Sequence, residues 1–209
     1  MTLDARQVID AHFRQSAEVT LRTAEACADD IIKAAALIAE SFASGGKLLI
    51  CGNGGSAADA QHMAAELVGR LTREFERPGL PALALTTDSS ILTAYANDFN
   101  FEGVFARQVE ALGRRGDVLI GISTSGSSKN VVNAADAARR AGLRVIVLTG
   151  AGGGILASRA DVAIQVPSHV TTHVQEAHLA IEHLLCHLVE RRDATPIESA
   201  PDSGGQGPR

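Results

Sequence analysis

Ile9, Phe13, Ala17, Leu21, Ala24, Ala28, Ile31, Ala35, Ile38 and Phe42 recur at steps of three or four. That spacing lays them along one side of a helix. The stripe is longer than one ordinary globular helix requires. Asp29 and Asp30 can start a new helix, so the pattern predicts two, about 4–27 and 29–44, closed by Gly45-Gly46. A stripe of small residues this long suits packing between subunits as well as covering a sheet face.

After Gly46 the period changes. Short apolar runs occupy Lys47–Cys51, Pro81–Thr86, Asp117–Ile122, Arg144–Thr149 and Asp161–Val166. Helical patterns lie between them, and a last one spans about Thr171 to Arg191. Strands that are apolar throughout and alternate with helices form a parallel sheet covered on both faces. The predicted fold is α/β, three-layered α/β/α, with a central five-stranded parallel sheet of flavodoxin or Rossmann type. Residues 1–44 are predicted to be helices, for oligomerisation or for covering the sheet, and 45–192 the α/β domain. Residues 193–209, rich in Pro, Gly and Ser, are predicted to be a disordered tail.

The chain has 209 residues, of which 45% are hydrophobic and 21% charged, so it can build one domain with a full core. Only 3% are aromatic and there is no Trp, which removes the stacking platforms of a single-strand nucleic-acid binder. A formal net charge of −5 also argues against nucleic-acid backbones as partners. No window approaches the roughly 18 apolar residues of a membrane span, and the amino terminus has no signal-peptide pattern. Cys27, Cys51 and Cys186 lie far apart and fit neither a disulfide framework nor a CxxC metal site. A cytoplasmic protein with reduced thiols is the expectation.

Two predicted strands end in loops that carry chemistry. One is Cys51-Gly52-Asn53-Gly54-Gly55-Ser56; the other is Ile122-Ser123-Thr124-Ser125-Gly126-Ser127-Ser128. Ligands of open parallel sheets bind beyond the carboxyl ends of strands, where helix amino termini present free N–H groups. Four serines and a threonine add hydroxyl donors to the second loop, which suits a phosphate monoester. Gly52-x-Gly54-x-x-Ala57 satisfies a relaxed dinucleotide fingerprint, but its acidic partner is missing at the required distance; Asp88 lies too far on.

On the helix after the first loop, Asp59, His62, Glu66 and Arg70 share one face. His62-x-x-x-Glu66 can present an imidazole and a carboxylate to one divalent metal. The last helix carries Gln175, Glu176, His178, Glu182, His183 and His187, and four of the seven histidines lie between 173 and 187. Spacing alone favours His183 with His187 as the metal pair. Gln175 and His183, about 12 Å apart along a helix axis, are near the limit for converging on one ion.

The stretches GNGGSAADAQHMAAELVGR, RPGLPALALTTDSSILTAYANDF, ISTSGSSKNV and VQEAHLAIEHLLCHLVE, in this order, resemble the phosphoheptose isomerases. These are sugar-isomerase (SIS) domain enzymes that interconvert sedoheptulose 7-phosphate and D-glycero-D-manno-heptose 7-phosphate. That reaction opens the synthesis of nucleotide-activated heptose, used for lipopolysaccharide or other heptose products. The resemblance covers nearly the whole chain except the tail. It implies a homotetramer with active sites at subunit interfaces and one zinc ion per subunit on His62, Glu66, Gln175 and His183, replacing His187. It further implies sugar contacts from Asn53, Gly54, Gly55, Ser56, Glu66, Asn97, Asp98, Thr124 and Gln175, and phosphate contacts from Ser123, Ser125 and Ser128. Glu66 and His183 are the implied catalytic pair, with Asp59 expected to orient His62. Thr172 stands where some of the enzymes have an acidic residue.

A sister branch, the replication-initiator-associating proteins, shares the fold and tetramer without the isomerase activity. The segment IQVPSHVTTHVQEAH is as close to it as to the enzymes, but Gly55, Asp59, Glu66 and His183 follow the enzymes. A sugar-phosphate sensor is the third reading.

Overall fold

The computed structural model describes residues 4–72, 75–193 and 195–196. Its elements in chain order are α1 (Ala5–Ala43), β1 (Leu48–Gly52), α2 (Gly55–Val68), β2 (Phe75–Glu76), β3 (Ala82–Ala84), α3 (Ser89–Asp98), a 3₁₀ turn (Phe101–Gly103), α4 (Val104–Leu112), β4 (Val118–Ser123), α5 (Lys129–Ala141), β5 (Arg144–Thr149), α6 (Gly154–Ala157), β6 (Val162–Gln165), α7 (Thr171–Asp193) and β7 (Thr195–Pro196). Five strands form one sheet in the order β3-β1-β4-β5-β6, every pair parallel. β2 and β7 make a separate antiparallel pair, Phe75 opposite Pro196 and Glu76 opposite Thr195. Of the predicted tail, Asp193 ends α7 and Thr195–Pro196 take part in that pair; Ala194 and 197–209 lie outside the described residues.

Alternation along the strands sorts the core into two layers. Leu48, Ile50, Val118, Ile120, Ile122, Ile146 and Leu148 face α1, α2 and α7. Leu49, Cys51, Leu119, Val145 and Val147 face α4 and α5. Because β1 and β4 are buried on both faces, every residue in them contributes; full burial of one Leu or Ile stabilises by about 1.5–3 kcal/mol.

Ala5–Ala43 form one helix, not two. Asp4 caps it, its side chain accepting from the Arg6 N–H at 3.0 Å, and Gly45 at φ +77° lets the chain leave. Asp29 and Asp30 do not break it, since both sit toward solvent and Asp30 accepts from Lys33 one turn on. An Asp in a helix interior costs only some tenths of a kcal/mol. The buried residues of α1 start at Val19, and Cys27, Ile31, Ala34, Ala35 and Ile38 join the same core as β1, β4, β6 and α7. The second half of this helix is therefore integral to the α/β domain.

Candidate active site between two strand ends and two helices

The connection out of β1 leads to β3 on one side of it, whereas β4 lies on the other. That reversal opens a crevice beyond the carboxyl ends of β1 and β4. Both candidate loops are there. Asn53 after β1 and Asn130 in the first turn of α5 exchange side-chain hydrogen bonds, Asn53 Nδ2 to Asn130 Oδ1 at 2.9 Å and Asn130 Nδ2 to Asn53 Oδ1 at 2.8 Å. This reciprocal amide pair ties the two loops across the crevice. Asn130 is buried and was not singled out by sequence; a polar residue on the inner face of the first turn after a serine loop is the available signal.

In the serine loop, Ser123 Oγ lies 3.0 Å from Ser128 Oγ and 3.4 Å from Ser125 Oγ. The Ser127 N–H donates to Ser125 Oγ at 3.2 Å. Three hydroxyls thus surround the amino end of α5, whose Ser128 cap makes no side-chain bond to the helix. Gly126 takes φ +64°, and a Cβ there would run into the Gly153 carbonyl. The close approach of the Gly152–Gly154 turn therefore demands glycine, and the Leu156 N–H donates to the Gly126 carbonyl at 2.9 Å to hold the loop. Thr124 is half-buried, and its carbonyl accepts from the Gly150 N–H at 3.0 Å.

Across from this loop, α2 meets α7. His62 Nε2 and His183 Nε2 face each other at 2.8 Å, with ring planes at 76°. Glu66 Oε1 stands 3.8 Å from His62 Nε2, one turn along α2. Gln175 Nε2 donates to both carboxylate oxygens of Asp59, at 3.3 and 3.2 Å. Asp59 thus positions Gln175, not His62 as expected. Burial pushes the Asp59 carboxyl above its ordinary value, opposed by the bond from Gln175. Gly55 completes the arrangement, because a Cβ at that position would collide with the Gln175 amide. Two imidazole nitrogens in contact, a carboxylate beside one of them and an amide on the facing helix are donor types that zinc accepts.

His187 is half-buried on α7, and no hydrogen bond or ion pair joins it to His62 or Glu66 among the described residues. Ser56 is buried beneath the first loop. Asn97 and Asp98 end α3 in solvent, where Asn97 Nδ2 donates to Asp98 Oδ1 at 2.9 Å; no hydrogen bond joins them to the rest of the set. A cavity of about 600 Å³ opens at the other end of the sheet, lined by Lys47, Arg114, Arg115 and Asp117, and holds none of these residues.

Buried polar groups brace the site from behind. Arg77 and Glu190, 1% and 0% exposed, pair at 2.9 Å. Arg77 also donates to the backbone carbonyls of Glu66 and Leu67, at 3.0 and 2.8 Å, pinning the end of α2 that carries the carboxylate. His178 is fully buried; burial pushes it down to about 4, so it is neutral, and Nε2–H donates to the Thr149 carbonyl at 3.2 Å. Glu182 is also fully buried, neither carboxyl oxygen has a partner, and burial together with the Asp59 charge pushes it up to about 9.

The SIS domain family matches residues 11–150 of the chain. The phosphoheptose isomerase of Roseiflexus sp. (strain RS-1) is 55% identical, over 89% of this chain and 93% of its own. Among solved structures, the phosphoheptose isomerase of Neisseria gonorrhoeae superposes with a TM-score of 0.84 at 43% identity, covering 89% of this chain and 98% of that one. The phosphoheptose isomerase of Francisella tularensis gives 0.87 at 38% identity, with 90% and 100% covered.

Proposed function

The chain belongs to the phosphoheptose isomerases, aldose–ketose isomerases with a SIS domain, and we propose that it interconverts sedoheptulose 7-phosphate and D-glycero-D-manno-heptose 7-phosphate through an enediol. The observation that carries this reading is His62 facing His183 at 2.8 Å, with Glu66 3.8 Å from His62, beside a hydroxyl-rich loop at the carboxyl end of β4.

Ser123, Ser125 and Ser128 hold the phosphate, with the amino end of α5 adding N–H groups and a positive dipole end. Asn53, Gly54, Gly55, Ser56, Thr124, Asn97 and Asp98 contact the sugar chain, and Gln175 lies over its reacting end. Glu66 takes a proton from C1 of the ketose and returns it to C2. His183 gives a proton to the C2 oxygen and takes one from the C1 hydroxyl, so the protons balance over the cycle. Abstraction requires the Glu66 carboxylate to be free when substrate arrives, so Glu66 would act as base only when released from the zinc ion that it would otherwise help to hold. One zinc ion on His62, Glu66, Gln175 and His183 would supply carbonyl polarisation and stabilise enediolate charge.

A homotetramer with sites completed between subunits fits the exposed face of α1. Val8, Ile9, Phe13 and Leu21 are 47–70% exposed there. Residues 1–44 would thus serve assembly as well as the core, and 45–192 the chemistry. No described helix is long and apolar enough to cross a membrane, and the three free cysteines are buried; both support a cytoplasmic enzyme. Relatives of high identity and coverage, together with Glu66 and His183, favour the enzyme over an initiator-binding or sensing tetramer.

The test is turnover of sedoheptulose 7-phosphate with and without a strong chelator, alongside Glu66→Gln. Turnover lost with chelator and in the variant, with mass in solution unchanged, is expected. Substantial activity in Glu66→Gln removes that residue from its role, and no turnover with zinc present sinks the isomerase reading.

A further inference from the structure

We propose that the chain carries a second metal site, built by His12 of α1 with His173 and Glu176 of α7, and that it takes zinc or a similar divalent transition-metal ion. Each residue offers one ligand atom, and these atoms all lie within 4.8 Å of one another. His12 Nε2 is 2.9 Å from Glu176 Oε1, and the rings of His12 and His173 lie 4.9 Å apart, inclined at 58°. Donors around a tetrahedral zinc, with bonds of 2.0–2.1 Å, are separated by about 3.3 Å. Rotamer adjustments of an ångström or so would bring the three onto one ion.

Three further features point the same way. The other oxygen of Glu176 accepts from Ser16 Oγ at 2.5 Å, so the carboxylate is oriented before any ion arrives, as metal-bound carboxylates are by outer partners. His173 is 4% exposed, yet its ring makes no hydrogen bond among the described residues. An imidazole whose nitrogens are committed to no described protein group, beside a carboxylate, is a donor of the kind zinc, nickel and copper prefer. His12 and Glu176 keep 41% and 39% of their side chains open to solvent, which leaves room for water to complete the coordination.

This site is separate from the one proposed for catalysis. Gln175 precedes Glu176 by one residue, but consecutive helical residues diverge by about 100°. Gln175 turns to Asp59 and Gly55 on α2, and Glu176 turns to α1. An ion held by His12, His173 and Glu176 would clamp the solvent-facing start of α1 onto the first two turns of α7. It would thereby fix the helix segment that presents Gln175. Without an ion, the same residues form a hydrogen-bonded clip between the helices, which is the rival account.

Counting metal separates the two. The full chain, stripped by chelator and dialysed, is titrated with zinc, and bound equivalents per chain are read by mass spectrometry after gel filtration. Cobalt absorption serves as an independent readout. The wild type is expected to bind two equivalents, and His12→Gln and His173→Gln one each. His62→Ala should retain one, lost in His62→Ala/His173→Gln. Glu176→Gln repeats the measurement should either histidine variant fail to fold. A wild type that binds a single equivalent, lost in His62→Ala and kept in His173→Gln, overturns the proposal. So does a second equivalent that survives both histidine substitutions. A single equivalent lost in His173→Gln but kept in His62→Ala supports this site and sinks the zinc assignment at His62.

Discussion

Glu182→Gln isolates the energetics of the buried carboxyl behind the site. Glu182 is 0% exposed with both oxygens unpartnered, and its folded pKa is about 9 against an ordinary 4.5. The native chain therefore keeps a proton that the unfolded chain releases. For an acid with a raised folded pKa, stability falls as pH rises from the unfolded to the folded value, here from 4.5 to about 9. The slope is about 1.4 kcal/mol per pH unit, and at pH 7 the accumulated cost is about 3 kcal/mol. Glutamine keeps the size and polarity and cannot titrate. The wild type and Glu182→Gln should match near pH 4.5 and diverge at higher pH. Between pH 5 and 8 the gap should widen by about 4 kcal/mol, or roughly 8–16 °C in melting temperature for a chain of this size. Guanidinium chloride midpoints and thermal scans at pH 5, 6, 7 and 8 measure it, and every other titrating group cancels between the two proteins. Parallel pH profiles would refute a buried neutral carboxyl at position 182.

Arg77→Met should lower stability by about 3–5 kcal/mol, because it leaves Glu190 charged and buried without a partner; Arg77→Met/Glu190→Leu should recover much of this in chemical denaturation. Gly126→Ala puts a Cβ at φ +64° against the Gly153 carbonyl, so KM for the sugar phosphate should rise at least tenfold while kcat changes less. Gly55→Ala should displace the Gln175 amide and reduce the metal content of the purified protein, read by mass spectrometry, with far-ultraviolet dichroism unchanged. His178 has a folded pKa of about 4 against 6.5, so wild-type stability should fall as pH drops from 6.5 toward 4. That loss, about 3 kcal/mol, should be absent in a His178→Gln background.

The sheet could be read almost whole, since β1, β4 and β5 are buried on both faces and their apolar runs have no polar interruption. β3 is shorter than its run Pro81–Thr86 because it lies at the sheet edge, where Leu83 stays 41% exposed. The helix break at Asp29 was expected from local chemistry that a long packed helix overrides. At the site, spacing identifies residues on one helix face and says nothing of which helix faces them. His183 and His187 are equivalent by that measure, and only the packing of α2 against α7 sets His183 against His62. The Asp59–Gln175, Asn53–Asn130 and Arg77–Glu190 pairs each join segments at least 77 positions apart, so no local window contains them. The serine loop needed none of this, because its hydroxyls and the helix it caps are contiguous.

One uninterrupted helix serves two environments. None of the first fourteen residues of α1 is buried, and the core begins at Val19. An isolated helix of 12–15 residues is marginal in water, so this stretch borrows its order from the His12 and Ser16 bonds to Glu176 and from whatever covers Ile9 and Phe13. Its opening is expected to be decoupled from global unfolding. With the tetramer proposed above, amide exchange over residues 8–18 is expected to slow as protein concentration rises, while amides after Val19 keep the protection of the core.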